Sequence, residues 1–192
     1  MKKDKIIEFL LDALLAAVGA ILVGLIFFGR GIFDSNRVGY QFLSFGIIGG
    51  VLFSSFRFLK LWIAAIIFVV FLVLNEAVLH LGNWDFIWQD VLYFLAMASS
   101  IFLFAKYYMP RLSGTILSRL FAVSGMFAIG FTIVTIIFFF IFSANPNIPR
   151  FNLAQMIYYD LAQGFLLGFG IGAGIEGAEF VTKRTLRNAA QS

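Results

Sequence analysis

Of the chain's 192 residues, 61% are hydrophobic and only 12% are charged. That charged share is roughly half that of an average soluble domain, and a soluble domain of this size needs more polar surface than this to stay in water. Cysteine is absent and His80 is the single histidine, which excludes disulfides, thiolate nucleophiles and multi-histidine metal sites within one chain.

The net charge is +4, yet the basic residues sit in short loops between apolar runs. That placement reads as membrane orientation and not as a nucleic-acid patch. The expected partner is the lipid bilayer, with no nucleic acid, cofactor or metal.

A spanning helix needs about 20 mostly apolar residues. The first run is 6–28. Lys2, Lys3 and Lys5 precede it as in a signal peptide, but it is too long for a signal core and ends without a small-residue cleavage site. It is expected to be a retained first helix. The second run, 40–56, is short and bears glycines. The third, 59–81, turns at Gly82-Asn83 into the fourth, 86–105. Met109-Pro110 and Ser113-Gly114 precede the fifth, 120–142. Asn145-Pro146-Asn147-Ile148-Pro149 precedes the sixth, 157–180. No connector is long enough for a soluble domain, so residues 1–192 read as one polytopic membrane domain.

Charge sets the expected orientation. With a cytoplasmic N-terminus and six spans, Lys2, Lys3, Lys5, Arg57, Lys60, Lys106, Arg111, Arg119, Lys183, Arg184 and Arg187 fall inside. Only Arg30, Arg37 and Arg150 fall outside. This asymmetry follows the positive-inside rule. The expected fold is an all-α integral membrane bundle of six transmembrane helices, with both termini in the cytoplasm of a cell carrying it in its inner or plasma membrane.

The sixth run is rich in glycine. Gly164, Gly168 and Gly172 fall four apart on one face, and Gly170 and Gly174 extend a neighbouring face. Lipid gives helices no hydrophobic drive to associate, so small residues that let backbones approach are a main packing device. Asp160 and Glu176 continue the same row at its two ends. The first run carries a matching stripe of Ala13, Ala16, Ala17, Ala20 and Gly24. These faces pack within one bundle, join two copies, or dock a partner membrane protein. Leucine at Gly168 or Gly172 is expected to be more damaging than at Gly46.

Two polar clusters stand out. The inner one comprises Glu8, Asp12, Glu176, Glu179 and Arg119, with Arg57 and Lys60 as further basic candidates. Asp12 lies roughly 9 Å into the first helix. Carboxylates at such depth are costly unless paired or hydrated, so this cluster reads as structural ion pairs, an inner gate or a docking site. On the outer side, Glu76 and His80 are one helical turn apart, and Asp90, Asp160 and Gln163 lie at similar depth. Acid and amide groups gathered there favour a cation or an amine. The alternative is an interfacial hydrogen-bond cluster.

Enzyme signatures are missing: there is no nucleophile elbow, HExxH, Walker loop or paired-Asp motif, and no catalytic residue is expected. Ser99 and Ser100 lie mid-helix and are expected to bond to backbone. The layout is similar to the substrate-binding subunits of energy-coupling-factor vitamin transporters, through the spacing of Ala13/Ala17 and Ala16/Ala20. That resemblance implies a first helix docked on a transporter subunit. The glycine-rich last helix running into Glu179, Lys183 and Arg184 is similar to the six-helix anchors of bacterial signalling proteins. Both resemblances rest on layout and a few small residues. Three functions follow in order: a small transporter or substrate-binding membrane subunit for a cation or amine-bearing solute, a non-catalytic anchor or sensor module, and an intramembrane enzyme.

Overall fold

The computed structural model describes residues 3–29, 37–79, 87–108, 115–142 and 152–189. Among them there are six α-helices and no strand: α1 (Lys3–Phe28), α2 (Arg37–Phe58), α3 (Leu61–Leu79), α4 (Ile87–Leu103), α5 (Ile116–Phe142) and α6 (Leu153–Ala189). A π-helical turn, Phe104–Tyr108, prolongs α4.

The helix boundaries depart from the hydropathy-based expectation because helical hydrogen bonding continues through polar residues. α5 starts at Ile116 instead of 120. There Thr115 is the N-cap, its hydroxyl accepting from the Ser118 amide. α6 starts at Leu153 instead of 157, capped by Asn152 Oδ1 accepting from the Ala154 amide at 3.0 Å. It runs on to Ala189, well past 180, because lysine, arginine, leucine and alanine are good helix formers once the chain leaves an apolar surrounding. α1 closes at Gly29, whose φ of 57° is the left-handed geometry of a helix end. α2 and α3 are separated by Leu59 and Lys60 alone; Leu59 still donates to Ser55, and the Lys60 carbonyl already accepts from Ile63 and Ala64.

Glycine contacts set the order of packing. Gly174 of α6 meets Leu15 and Ala16 of α1, and Gly170 meets Gly19 and Ala20. α1 and α6 are therefore antiparallel. On the other flank of α6, Gly164 meets Phe127 and Ala128, Gly168 meets Val123 and Ser124, and Gly172 meets Leu120 and Val123. α5 is therefore antiparallel to α6 as well. Gly46 and Gly50 of α2 seat against Ala13, Ala16, Ala17 and Ala20 of α1. α4 lies on α5, where Ser100 donates to the Met126 carbonyl at 3.2 Å.

The approach is close enough that only hydrogen fits. A Cβ on Gly170 would lie 2.6 Å from the Ala20 Cα, and one on Gly164 would lie 2.7 Å from the Phe127 carbonyl oxygen. Backbone cannot yield as a side-chain tip can, so these positions admit no larger residue. Between α2, α4 and α5 the filling is aromatic. Phe45 packs edge-on against Phe94 at 4.7 Å and Phe131 at 5.9 Å between ring centroids. Phe53, Phe104 and Phe127 are also fully buried. α3 is peripheral: Ala64 is buried, while Trp62, Ile66, Val69 and Val73 are exposed.

Three helices are long and apolar enough to cross a membrane: Lys5–Phe27, Ile116–Ile141 and Leu153–Lys183. Three shorter apolar stretches, Ser44–Phe58, Leu61–Leu74 and Val91–Tyr107, lie between the first of these and the second.

Candidate functional site

The carboxylates divide between the two ends of the bundle. The terminal end is the one where α1 begins and α6 finishes; the far end is opposite. Asp160 and Glu176 on α6 are about 24 Å apart along the helix.

At the terminal end, each deep carboxylate meets an arginine. Asp12 of α1 is 1% exposed, and its Oδ2 accepts from Arg57 Nη1 of α2 at 2.7 Å. The Arg57 guanidinium carbon also sits 4.9 Å from the centroid of the Phe58 ring. Glu176 of α6 takes Arg119 of α5 in a two-pronged pair, Nε to Oε1 and Nη2 to Oε2, both at 2.5 Å. Glu179 pairs with Lys183 one turn on at 3.2 Å. Glu8 is partly buried, and both Glu8 and Glu179 lie within electrostatic range of Asp12. The residues read together from the sequence as an inner cluster are thus brought together as two inter-helix ion pairs and one along α6. Lys60 is exposed.

At the far end Asp160 is answered by hydroxyls. It is 8% exposed. Its Oδ2 accepts from the Tyr93 hydroxyl of α4 at 2.7 Å and from the Thr135 hydroxyl of α5. Tyr93 and Thr135 oxygens are 3.3 Å apart, and Thr135 is also within 3.1 Å of the Phe131 carbonyl. Three helices thus converge on one carboxyl group. Among the described residues no Lys, Arg or His pairs with Asp160, and its Oδ1 makes no hydrogen bond. A carboxylate withdrawn from water without a positive partner is costly.

Gln163, less than one turn from Asp160, is buried as well. Asp90 lies on α4 one turn before Tyr93, and Glu76 lies on α3; their side chains are outside the described ones, and His80 is outside the described residues. Sequence reading missed Tyr93, the main donor to Asp160. The available signal was a tyrosine three residues past Asp90, on the same side of α4. Thr135, the second donor, lies in a segment of α5, 120–142, with no acidic or basic residue to draw attention to it.

The small-residue faces are occupied within the chain. Ala16 and Ala20 are fully buried, Ala16 beside Gly174 and Gly50 and Ala20 beside Gly170 and Gly46. Ala13 and Ala17 are partly buried against α2. The alanines on which the vitamin-transporter resemblance rests thus pack, wholly for Ala16 and Ala20 and in part for Ala13 and Ala17, against helices of the same chain. The expected ranking of glycines is also altered. Gly168 faces backbone at 2.8 Å, but Gly172 faces the Val123 and Leu120 side chains, which can move. Gly46 sits 2.7 Å, by the same construction, from the Ala20 Cβ. Ser100 does bond to backbone, at the Ala96 and Met126 carbonyls, while Ser99 is exposed.

The fold defines an all-helical bundle with three helices fit to cross a membrane. The chain matches no protein-family model, no curated protein and no solved structure.

Proposed function

We infer that this chain is a multi-pass protein of the inner or plasma membrane that binds a cation or amine-bearing solute, as a small transporter or as the substrate-binding membrane subunit of one. The observation that carries this reading is Asp160: a buried carboxyl group held by two hydroxyls from two other helices, with no basic partner among the described residues. In this reading the far end faces outward. The sequence adds Gln163, Asp90, Glu76 and His80 as further candidates for an outer polar site. The six-span, N-in/C-in arrangement is supported by the charge asymmetry and by helix lengths. At 1.5 Å per residue, the 22 residues of α2 extend about 33 Å and the 19 of α3 about 28 Å, near the ~30 Å hydrocarbon core.

Two experiments test the reading. Single cysteines at Asn36, Asn83 and Asn147 are expected to react with an impermeant maleimide from outside intact cells, and those at Ser113 and Ser192 are not. Reaction at Ser113 overturns the topology. Purified protein is then melted with metal cations, polyamines and amine-bearing vitamins. Stabilisation that is lost in Asp160→Asn supports the site; a screen in which nothing stabilises the wild type overturns it. In that case the anchor or interaction module is the better reading, favoured by the apolar face that α3 leaves exposed.

A further inference from the structure

The hydrogen bonds at Asp160 fit two charge states with the same heavy-atom positions. In the acid state, Oδ2 carries a proton and donates it to Thr135 Oγ1. Thr135 then donates to the Phe131 carbonyl, and Tyr93 donates to Oδ2. All three protons have acceptors and no charge is buried. In the carboxylate state, Tyr93 and Thr135 both donate to Oδ2. Thr135 releases the Phe131 carbonyl, which keeps its helical amide partner. The two states differ by one proton, and only the second carries an uncompensated negative charge. Oδ1, free of hydrogen bonds among the described residues, is where a positive charge can be met.

We propose that Asp160 exchanges one proton for one monovalent cation. This rests on the reading of the far end as a cation or amine site. In the exchange the Oδ2–H bond breaks, the proton passes to water, and the cation, a metal ion or a primary ammonium, settles against the carboxylate. Nothing is oxidised or reduced. Returning the proton expels the cation, because the neutral acid offers no charge to hold it.

Among the described side chains the exchange falls to Asp160. From α4 comes Tyr93, and on α6 itself Tyr159 is electrostatically coupled to Asp160. Asp90 on α4, Arg37 on α2 and Glu76 on α3 have side chains outside the described ones. The described charged side chains of α1 and α5, namely Lys5, Glu8, Asp12 and Arg119, stand toward the terminal end, as does Arg57 of α2. Arg119 is about 24 Å along α5 from Thr135.

The test uses the full chain in detergent micelles, weakly buffered, with a pH-indicator dye. Sodium, potassium and methylammonium chlorides are added against choline chloride at equal ionic strength, at successive pH values. At least one of the three is expected to release about one proton per cation bound, saturably, with a rise in melting temperature. Asp160→Asn is expected to release none. With nitrogen in the place of Oδ2, the amide donates to Thr135 and to the Tyr93 oxygen, and Tyr93 turns its own proton to Thr135 3.3 Å away, so it folds.

Infrared titration of the carboxyl band gives a second readout that does not depend on that variant. Tyr93→Phe removes a donor to the carboxylate and shifts the titration of this band to higher pH. Cation stabilisation of the wild type without proton release overturns the exchange and leaves the cation site standing. Neither stabilisation nor release overturns both. A band that titrates identically in wild type and Tyr93→Phe overturns the assignment to Asp160.

Discussion

The two ends of the bundle treat buried carboxylates in opposite ways. At the terminal end Asp12 and Glu176 are each met by an arginine from a neighbouring helix, at 2.7 and 2.5 Å. At the far end Asp160 is met by a phenol and an alcohol. The first solution neutralises charge and ties α1 to α2 and α5 to α6. The second supplies hydrogen bonds without charge and leaves the group with no basic partner among the described residues. A full ion pair makes a poor exchange site, since the arginine already occupies the place of an incoming cation. The contrast separates residues that hold helices together from residues with chemistry to spare.

That comparison assumes that α6 is a rod seated firmly on both neighbours, and the largest expected effects test this. Gly174→Leu drives a side chain into the Leu15 and Ala16 backbone, and Gly164→Leu drives one into Phe127 and Ala128. Both are expected to abolish a monodisperse folded peak on fluorescence size-exclusion. Gly125→Ala, with open space around it, is expected to raise stability by up to about 1 kcal/mol through helix propensity. If Gly174→Leu is as well folded as Gly125→Ala, the rod is loose and the two ends are not held apart.

Next in size is the terminal end. Arg119→Ala leaves Glu176 buried without a counter-charge and is expected to cost about 3–5 kcal/mol, read as a lower melting temperature in detergent. Arg119→Ala combined with Glu176→Gln is expected to recover most of that loss, because no charge is left stranded. A double variant as unstable as the single one shows that packing, not charge, is what Arg119 contributes.

The far end is expected to be softer. Tyr93→Phe removes one hydrogen bond to Asp160 and is expected to cost about 1 kcal/mol. Asp160→Asn, which like the acid carries no charge, is expected to change the stability of the unliganded protein least, by less than about 0.5 kcal/mol, read from its melting temperature. An Asp160→Asn loss as large as that of Arg119→Ala removes the distinction between the ends and makes Asp160 a structural residue.

Much of the helical layout was legible in the sequence, because the apolar runs and the glycine periodicity are local. Gly164, Gly168 and Gly172 share a face by spacing alone, and that this face needs a close neighbour follows from its small residues; that the neighbour is α5 came only from the structure. That Gly170 and Gly174 serve a different neighbour, α1, was not legible: spacing names a face but not its occupant. The helix ends were misplaced where polar caps such as Asn152 and Thr115 extend the hydrogen-bonded backbone beyond the hydropathy signal. The carboxylates were singled out by position and depth as residues in need of partners. Their partners were harder to reach. Tyr93 is 67 residues from Asp160, Arg119 is 57 from Glu176, and Arg57 is 45 from Asp12.

By itself the sequence determined an all-helical chain with apolar helices fit for a bilayer, because each backbone amide in a helix is satisfied within its own segment. It also determined which positions tolerate close approach, since glycine and alanine carry that property wherever they fall. Only the tertiary structure decided that two of the deep carboxylates are neutralised and one is not. That outcome depends on which side chains α2, α4 and α5 turn toward α1 and α6, and so on packing between segments far apart in the chain.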